Sequence, residues 1–140
     1  MSDNTEKKIF QGITPLNFDT GNNEIASQIQ TLENIIKDKF GKKKRNEHSG
    51  KEIADSFLSS TQLRNLYDKI KQCKDEKEIR LLYPKIVYMA ARQPNNNGKN
   101  IIMEIASFIK GIETNEQLKS FKKFMEAIVA FQKYYYPGKN

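Results

Sequence analysis

TNEQLKSFKKFMEAIVAFQKYYYPG, residues 114–138, decides the fold class. It opens on Thr114 with Gln117 three residues later, a hydroxyl and an amide placed to satisfy each other's backbone donors at a helix start. Leu118, Phe121, Met125, Ile128 and Gln132 then recur at spacings of three and four, which sets them on one ridge of a helix. Phe124, Phe131 and Tyr135 widen that ridge, and Pro137-Gly138 stops it. A helix with so broad an apolar face needs other helices to cover it.

Working outward, the same period recurs. Residues 24–40 carry Ile25, Ile29, Leu32, Ile36 and Phe40 on one face, and Gly41 follows where a helix C-terminus tolerates positive φ. Ser59-Ser60-Thr61 offers N-cap hydroxyls for a helix whose inner face is Leu63, Leu66, Tyr67 and Ile70. Residues 75–92 repeat the pattern with Ile79, Leu82, Ile86, Met89 and Ala90, and Pro84 predicts a kink. PNNNG at 94–98 reads as a turn before a helix over 99–110, which Gly111 ends. Residues 52–58 read as a short helical turn. No segment alternates with period two over strand length, so the prediction is an all-α bundle of about five helices. Residues 1–22 read as a loosely structured N-terminal leader, flexible or docked through Ile9, Ile13, Leu16 and Phe18. Residues 23–140 read as a single helical-bundle domain.

Between the first two helices lies GKKKRNEHSGK, residues 41–51, with five basic residues against one glutamate and no apolar anchor. It reads as an exposed, mobile basic loop. Charge is uneven along the chain. Residues 1–40 hold four lysines and six acids, so the net +7 of the 140-residue chain is −2 there and +9 over residues 41–140. A basic domain points to a polyanion, most often nucleic acid, or to a basic surface that serves only solubility.

Catalytic and metal chemistry leave little trace. His48 and Cys73 are the only histidine and cysteine, too few for a zinc site. A lone helical cysteine fits packing in a reducing, cytoplasmic setting. There is no GxGxxG or GxxxxGK, and the acids at 75, 76 and 78 suit a helix N-terminus. No apolar run approaches a membrane span. The reading is no enzyme, no cofactor, no metal and no membrane.

Three cationic features remain. Lys43, Lys44 and Arg45, with Lys51, attract phosphates without reading sequence. Arg64, Asp68 and Lys71 share a face, where Arg64 serves either a phosphate or a weak surface pair with Asp68. Lys85, Tyr88 and Arg92 stand at i, i+3 and i+7, so two cations flank a ring that can pack a base or ribose. The alternative puts Tyr88 in the core and both cations in solvent.

SSTQLRNLYDKI (59–70), LLYPKIVYMAARQ (81–93) and FKKFMEAIVAFQKYYY (121–136), in that order and spacing, resemble the small subunit of the type III-A CRISPR–Cas effector, the Csm complex. The family pattern has a Ser/Thr-Gln-Leu/Ile-Arg helix start and a Pro-Lys-apolar-apolar-Tyr segment ending in Ala-Ala/Gly-Arg. An aromatic-x-Glu-Ala helix completes it. Ala91 stands where members often carry Gly. The resemblance implies a compact helical bundle without nuclease activity that stacks in copies along the effector, beside the backbone and large subunits. It implies contact with crRNA and target RNA through Arg64, Lys85 and Arg92, with the Lys43, Lys44, Arg45 and Lys51 cluster added on charge alone. The alternative is a helical scaffold acting only through protein–protein contacts, for which Tyr134–Tyr136 would be the exposed aromatic surface.

Overall fold

A computed structural model describes residues 8–18, 24–45, 50 and 52–137, the side chains of 24, 43–45 and 52–54 excepted. Lys51, His48 and the 20–23 breaker run lie outside the described residues. The elements are a 3-10 turn (Pro15–Asn17), α1 (Glu24–Lys39), β1 (Gly41–Arg45), β2 (Glu52–Ser56), α2 (Ser60–Gln72), α3 (Glu76–Ala91), α4 (Asn96–Ile109) and α5 (Asn115–Tyr135). Among the described residues the protein is all-α but for one two-stranded ribbon.

Helix starts follow the side chains that satisfy orphan amides. Thr114 and Gln117 form a reciprocal capping box: the Gln117 amide donates to Thr114 Oγ1 at 3.1 Å and the Thr114 amide to Gln117 Oε1 at 3.2 Å. Ser59 and Gln62 repeat it at 3.0 and 3.2 Å. Asp75 accepts from the amides of Lys77 and Glu78, both at 3.0 Å. α4 begins at Asn96, inside the stretch expected to be a turn. Asn95 is its cap and accepts from the Gly98 amide at 2.6 Å, so the asparagine run starts the helix.

α5 is the central post. It packs against α1, α2 and the 3-10 turn, while α3 and α4 pair with each other. Leu118, Phe121, Phe124, Met125, Ile128 and Gln132 are buried on it. They meet Leu32, Ile36 and Phe40 from α1 and Leu63, Leu66 and Ile70 from α2 in one apolar cluster. Each such side chain, fully buried, is worth about 1.5–3 kcal/mol of transfer free energy. Ile29, on the predicted inner face of α1, is 39% exposed, because the apolar stripe outruns the surface covering it. α3 runs through Pro84 without interruption. The proline is exposed, so the missing hydrogen bond falls on the solvent side of the helix.

Residues 8–18 dock. Phe10, Ile13 and Phe18 are buried, and Phe10 meets the rings of Phe40, Phe108 and Phe124 edge-on at 5.9, 6.0 and 5.2 Å. Glu104 fixes the segment, accepting from the Ile9 and Phe10 amides at 2.8 and 2.9 Å.

The basic stretch differs most from its reading. Residues 41–45 form β1, antiparallel to β2 from Gly41↔Ser56 to Arg45↔Glu52, where a mobile loop and a helical turn were expected. An isolated ribbon is marginal in water, and this one is stitched at its base. The Phe57 amide donates to the Phe40 carbonyl at 2.8 Å, and Gln132 Nε2 donates to Ser56 Oγ at 3.2 Å and to the Leu58 carbonyl at 3.0 Å. Gly41 serves close approach, not positive φ: a Cβ there would lie 2.3 Å from the Asp55 carbonyl oxygen and 2.5 Å from the Tyr136 ring. Tyr136 is itself buried and donates to the Lys37 carbonyl at 2.7 Å, satisfying an orphan carbonyl of α1.

Candidate nucleic-acid interface

On α3 the buried stripe runs through Ile79, Leu82, Ile86 and Ala90. At about 100° per residue, Lys85, Tyr88 and Arg92 fall together on the opposite side, with Leu81 one turn earlier. All four are exposed, Leu81 by 76% and Tyr88 by 62%. Tyr88 is therefore not a core residue. The Arg92 guanidinium lies 5.6 Å from the Tyr88 ring centroid, and its Nη1 donates to the phenol oxygen at 3.2 Å. That contact orients one planar donor fork beside a ring and leaves further N–H groups facing outward. The face can hold a phosphate on two cations and pack a sugar or base on the ring.

Arg64 belongs to a different helix. Its Nε sits 3.8 Å from Asp68 Oδ1, and the two side chains are 68% and 51% exposed. A surface pair of this kind contributes about 0.3–0.5 kcal/mol, so a phosphate can displace it. Lys71 lies 5.8 Å from the Tyr67 ring centroid on the same side of α2. Lys43, Lys44 and Arg45 sit in β1, where the register sets Lys43 across from Ala54, Lys44 across from Ile53, and Arg45 across from Glu52. Among the described residues no hydrogen bond, ion pair or cation–ring contact joins Arg64 to Lys85 or Arg92, and the sequence-predicted residues lie as a strip on α3, a point on α2 and a basic strand.

Other candidate groups have structural work. Lys122 donates to the Cys73 carbonyl, and Arg80 to the Ile112 carbonyl at 2.7 Å. Cys73 is buried, and burial, then the Glu78 carboxylate, push its thiol upward, the wrong direction for a nucleophile. Of the three C-terminal tyrosines only Tyr134 is well exposed; Tyr135 is half-buried and Tyr136 buried. Leu81 was the residue of the α3 face that sequence reasoning passed over. Its signal was an apolar side chain i−4 from Lys85 and off the Ile79–Ile86 stripe.

Fold and face together describe a small all-α protein with a cationic, aromatic helix surface. Residues 38–138 match the model of the Csm2 Type III-A family, and the chain belongs to that family. Its members are small, non-catalytic subunits of the type III-A CRISPR complex, so other Csm subunits are its partners. The match runs from the last turn of α1 through α5, and leaves the docked segment outside it. No curated protein and no solved structure matches the chain. No helix among the described residues is long and apolar enough to cross a membrane.

Proposed function

We propose that this protein, working in the cytoplasm without catalysis of its own, lines the effector's RNA channel and holds the crRNA–target RNA backbone without reading sequence. Copies stack along the effector beside the backbone and large subunits. Residues 23–140 act as one helical domain. Lys85, Tyr88 and Arg92 make the principal contact, Arg64 adds a second, and Lys43, Lys44, Arg45 and Lys51 supply further phosphate contacts. The carrying observation is the α3 face, where two exposed cations flank an exposed ring and one of them is already packed against it. A guide RNA reads sequence by base pairing, so a protein beside it needs to recognise only backbone and shape.

Three or four phosphate contacts on single-stranded RNA give a log–log salt slope of about −2 to −3. Fluorescence anisotropy with a short single-stranded RNA, repeated across salt concentrations, measures it. Removing two phosphate contacts in Lys85→Ala/Arg92→Ala should weaken binding and flatten the slope by about 1.4. Affinity and slope equal to wild type would refute the α3 assignment. Exposed Leu81 and Tyr134 favour a second reading, a scaffold acting through protein contacts alone. Co-purification with the intact complex without any RNA crosslink to this chain would select it.

A further inference from the structure

A groove of 640 Å³ opens between the docked N-terminal segment, the last turn of α1, α3 and α4. Lys8, Lys39 and Lys110 stand around it, with Tyr83, Asn97 and Asn100 on its walls. Among the described residues none of the three lysines has a carboxylate within ion-pair distance. Glu104, the acid lining the groove, has both oxygens taken by the Ile9 and Phe10 amides, and that same grip brings Lys8 to the rim. Lys110 Nζ lies 5.4 Å from the Tyr83 ring centroid, which holds a cation and a ring at one end. The Asn97 and Asn100 side-chain amides have no hydrogen-bond partner among the described residues.

Three ammonium groups against the one Glu104 carboxylate, with no ion pair to any of them among the described residues, a ring, and two amides offering both donors and acceptors are what a nucleotide needs. The volume falls within the ~300–1,000 Å³ of small-molecule sites. We propose that this groove binds a nucleotide, the lysines holding its phosphate, Tyr83 packing beside the ribose or base, and Asn97 and Asn100 reading the base edge. The nucleotide is either free or one unit of an RNA strand. The site is separate from the RNA face of the preceding section. Tyr83 lies about 200° from Lys85 and about 180° from Arg92 around the α3 axis. The two assignments therefore stand or fall apart.

The test is an NMR titration of the ¹⁵N-labelled full chain with AMP, inorganic phosphate, a poly-glutamate peptide and a short single-stranded RNA. AMP should perturb the amides of residues 8, 83, 97–100 and 110. Lys39→Ala/Lys110→Ala, at two exposed positions, should weaken AMP by about tenfold for each lysine removed. Asn100→Asp, which sets a carboxylate beside the base and phosphate, should weaken it as well. Lys85→Ala/Arg92→Ala should leave the AMP-induced shifts at residues 8, 83, 97–100 and 110 unchanged. If the RNA perturbs the same amides, the nucleotide is strand-borne; if only AMP does, it is free. The proposal is overturned if phosphate or poly-glutamate binds as tightly as AMP, if the lysine variant binds like wild type, or if neither AMP nor RNA perturbs those amides.

Discussion

Two regions of the molecule treat polar and charged groups in opposite ways. At the junction of α1, the ribbon and α5, side-chain donors close on the main chain: Gln132 on Leu58, Tyr136 on Lys37, and Ser56 on Phe40. On the outer face of α3, Lys85, Tyr88 and Arg92 meet solvent, and the one contact between them is the Arg92–Tyr88 pair. The first region fixes the path of the backbone, because a buried donor or acceptor left unmatched costs its desolvation. The second leaves charge available for a partner. Changes at the junction should cost stability, and changes on α3 should cost only binding.

The largest effect belongs to Gly41→Ala. A methyl at that position meets the Asp55 carbonyl oxygen at 2.3 Å, a backbone atom that moves only if the ribbon moves. We expect a loss of about 3 kcal/mol, the upper part of the range for overpacked sites, read from urea unfolding. A midpoint equal to wild type would show that the ribbon is not tied to Tyr136 as described. Gln132→Leu comes next. It keeps the buried volume but orphans the Leu58 carbonyl, and should cost about 1–3 kcal/mol by the same measurement.

These two residues also mark what was legible in the sequence. Periodicity placed Gln132 on the buried ridge of α5, because a helix face is local geometry. Its partners, 74 and 76 residues away, have no local signature. Gly41 was visible as a residue past a helix end, but its reason lies in the distant Tyr136 ring and the facing strand. The capping box at Thr114 was fully readable, since it involves four consecutive residues, whereas at the start of α2 the sequence offered three candidate hydroxyls and the Ser59–Gln62 box was not picked out. The ribbon was hidden because Lys42-Lys43-Lys44-Arg45 carries no apolar alternation. Strand patterning reports a buried face, whereas Lys42 and Asp55 are exposed. That Lys85, Tyr88 and Arg92 share one side of α3 was readable for the same reason as the helices, but the exposure of Tyr88 was not, because the spacing alone also allowed a place in the core. The groove was not, because its lysines come from residues 8, 39 and 110.

Lys85→Ala/Arg92→Ala sharpens the contrast from the other side. Both side chains are exposed and neither holds the main chain of another element, so unfolding free energy should stay within about 0.5 kcal/mol of wild type. A loss comparable with that of Gln132→Leu would mean that the α3 face is structural, and the contrast between the regions would fail.

The smallest effect lies just beyond the junction, and it appears only at alkaline pH. The Tyr135 hydroxyl donates to Glu33 Oε2, joining α5 to α1 at the surface. That hydrogen bond, then desolvation and the Glu33 charge, push the phenol from 10.0 up to about 12. A phenol whose folded value exceeds its unfolded one holds its proton more tightly when folded. Its stabilisation is therefore complete below pH 10 and disappears as the pH rises through about 12. Tyr135→Phe lacks the group and the dependence. Burial also raises Tyr136, but that residue is common to both proteins and cancels from the difference. Melting temperatures of wild type and Tyr135→Phe, followed across this interval, should converge. A constant gap would mean that Tyr135 contributes through its ring alone, and that the α1–α5 contact at Glu33 is apolar packing with no proton held between them.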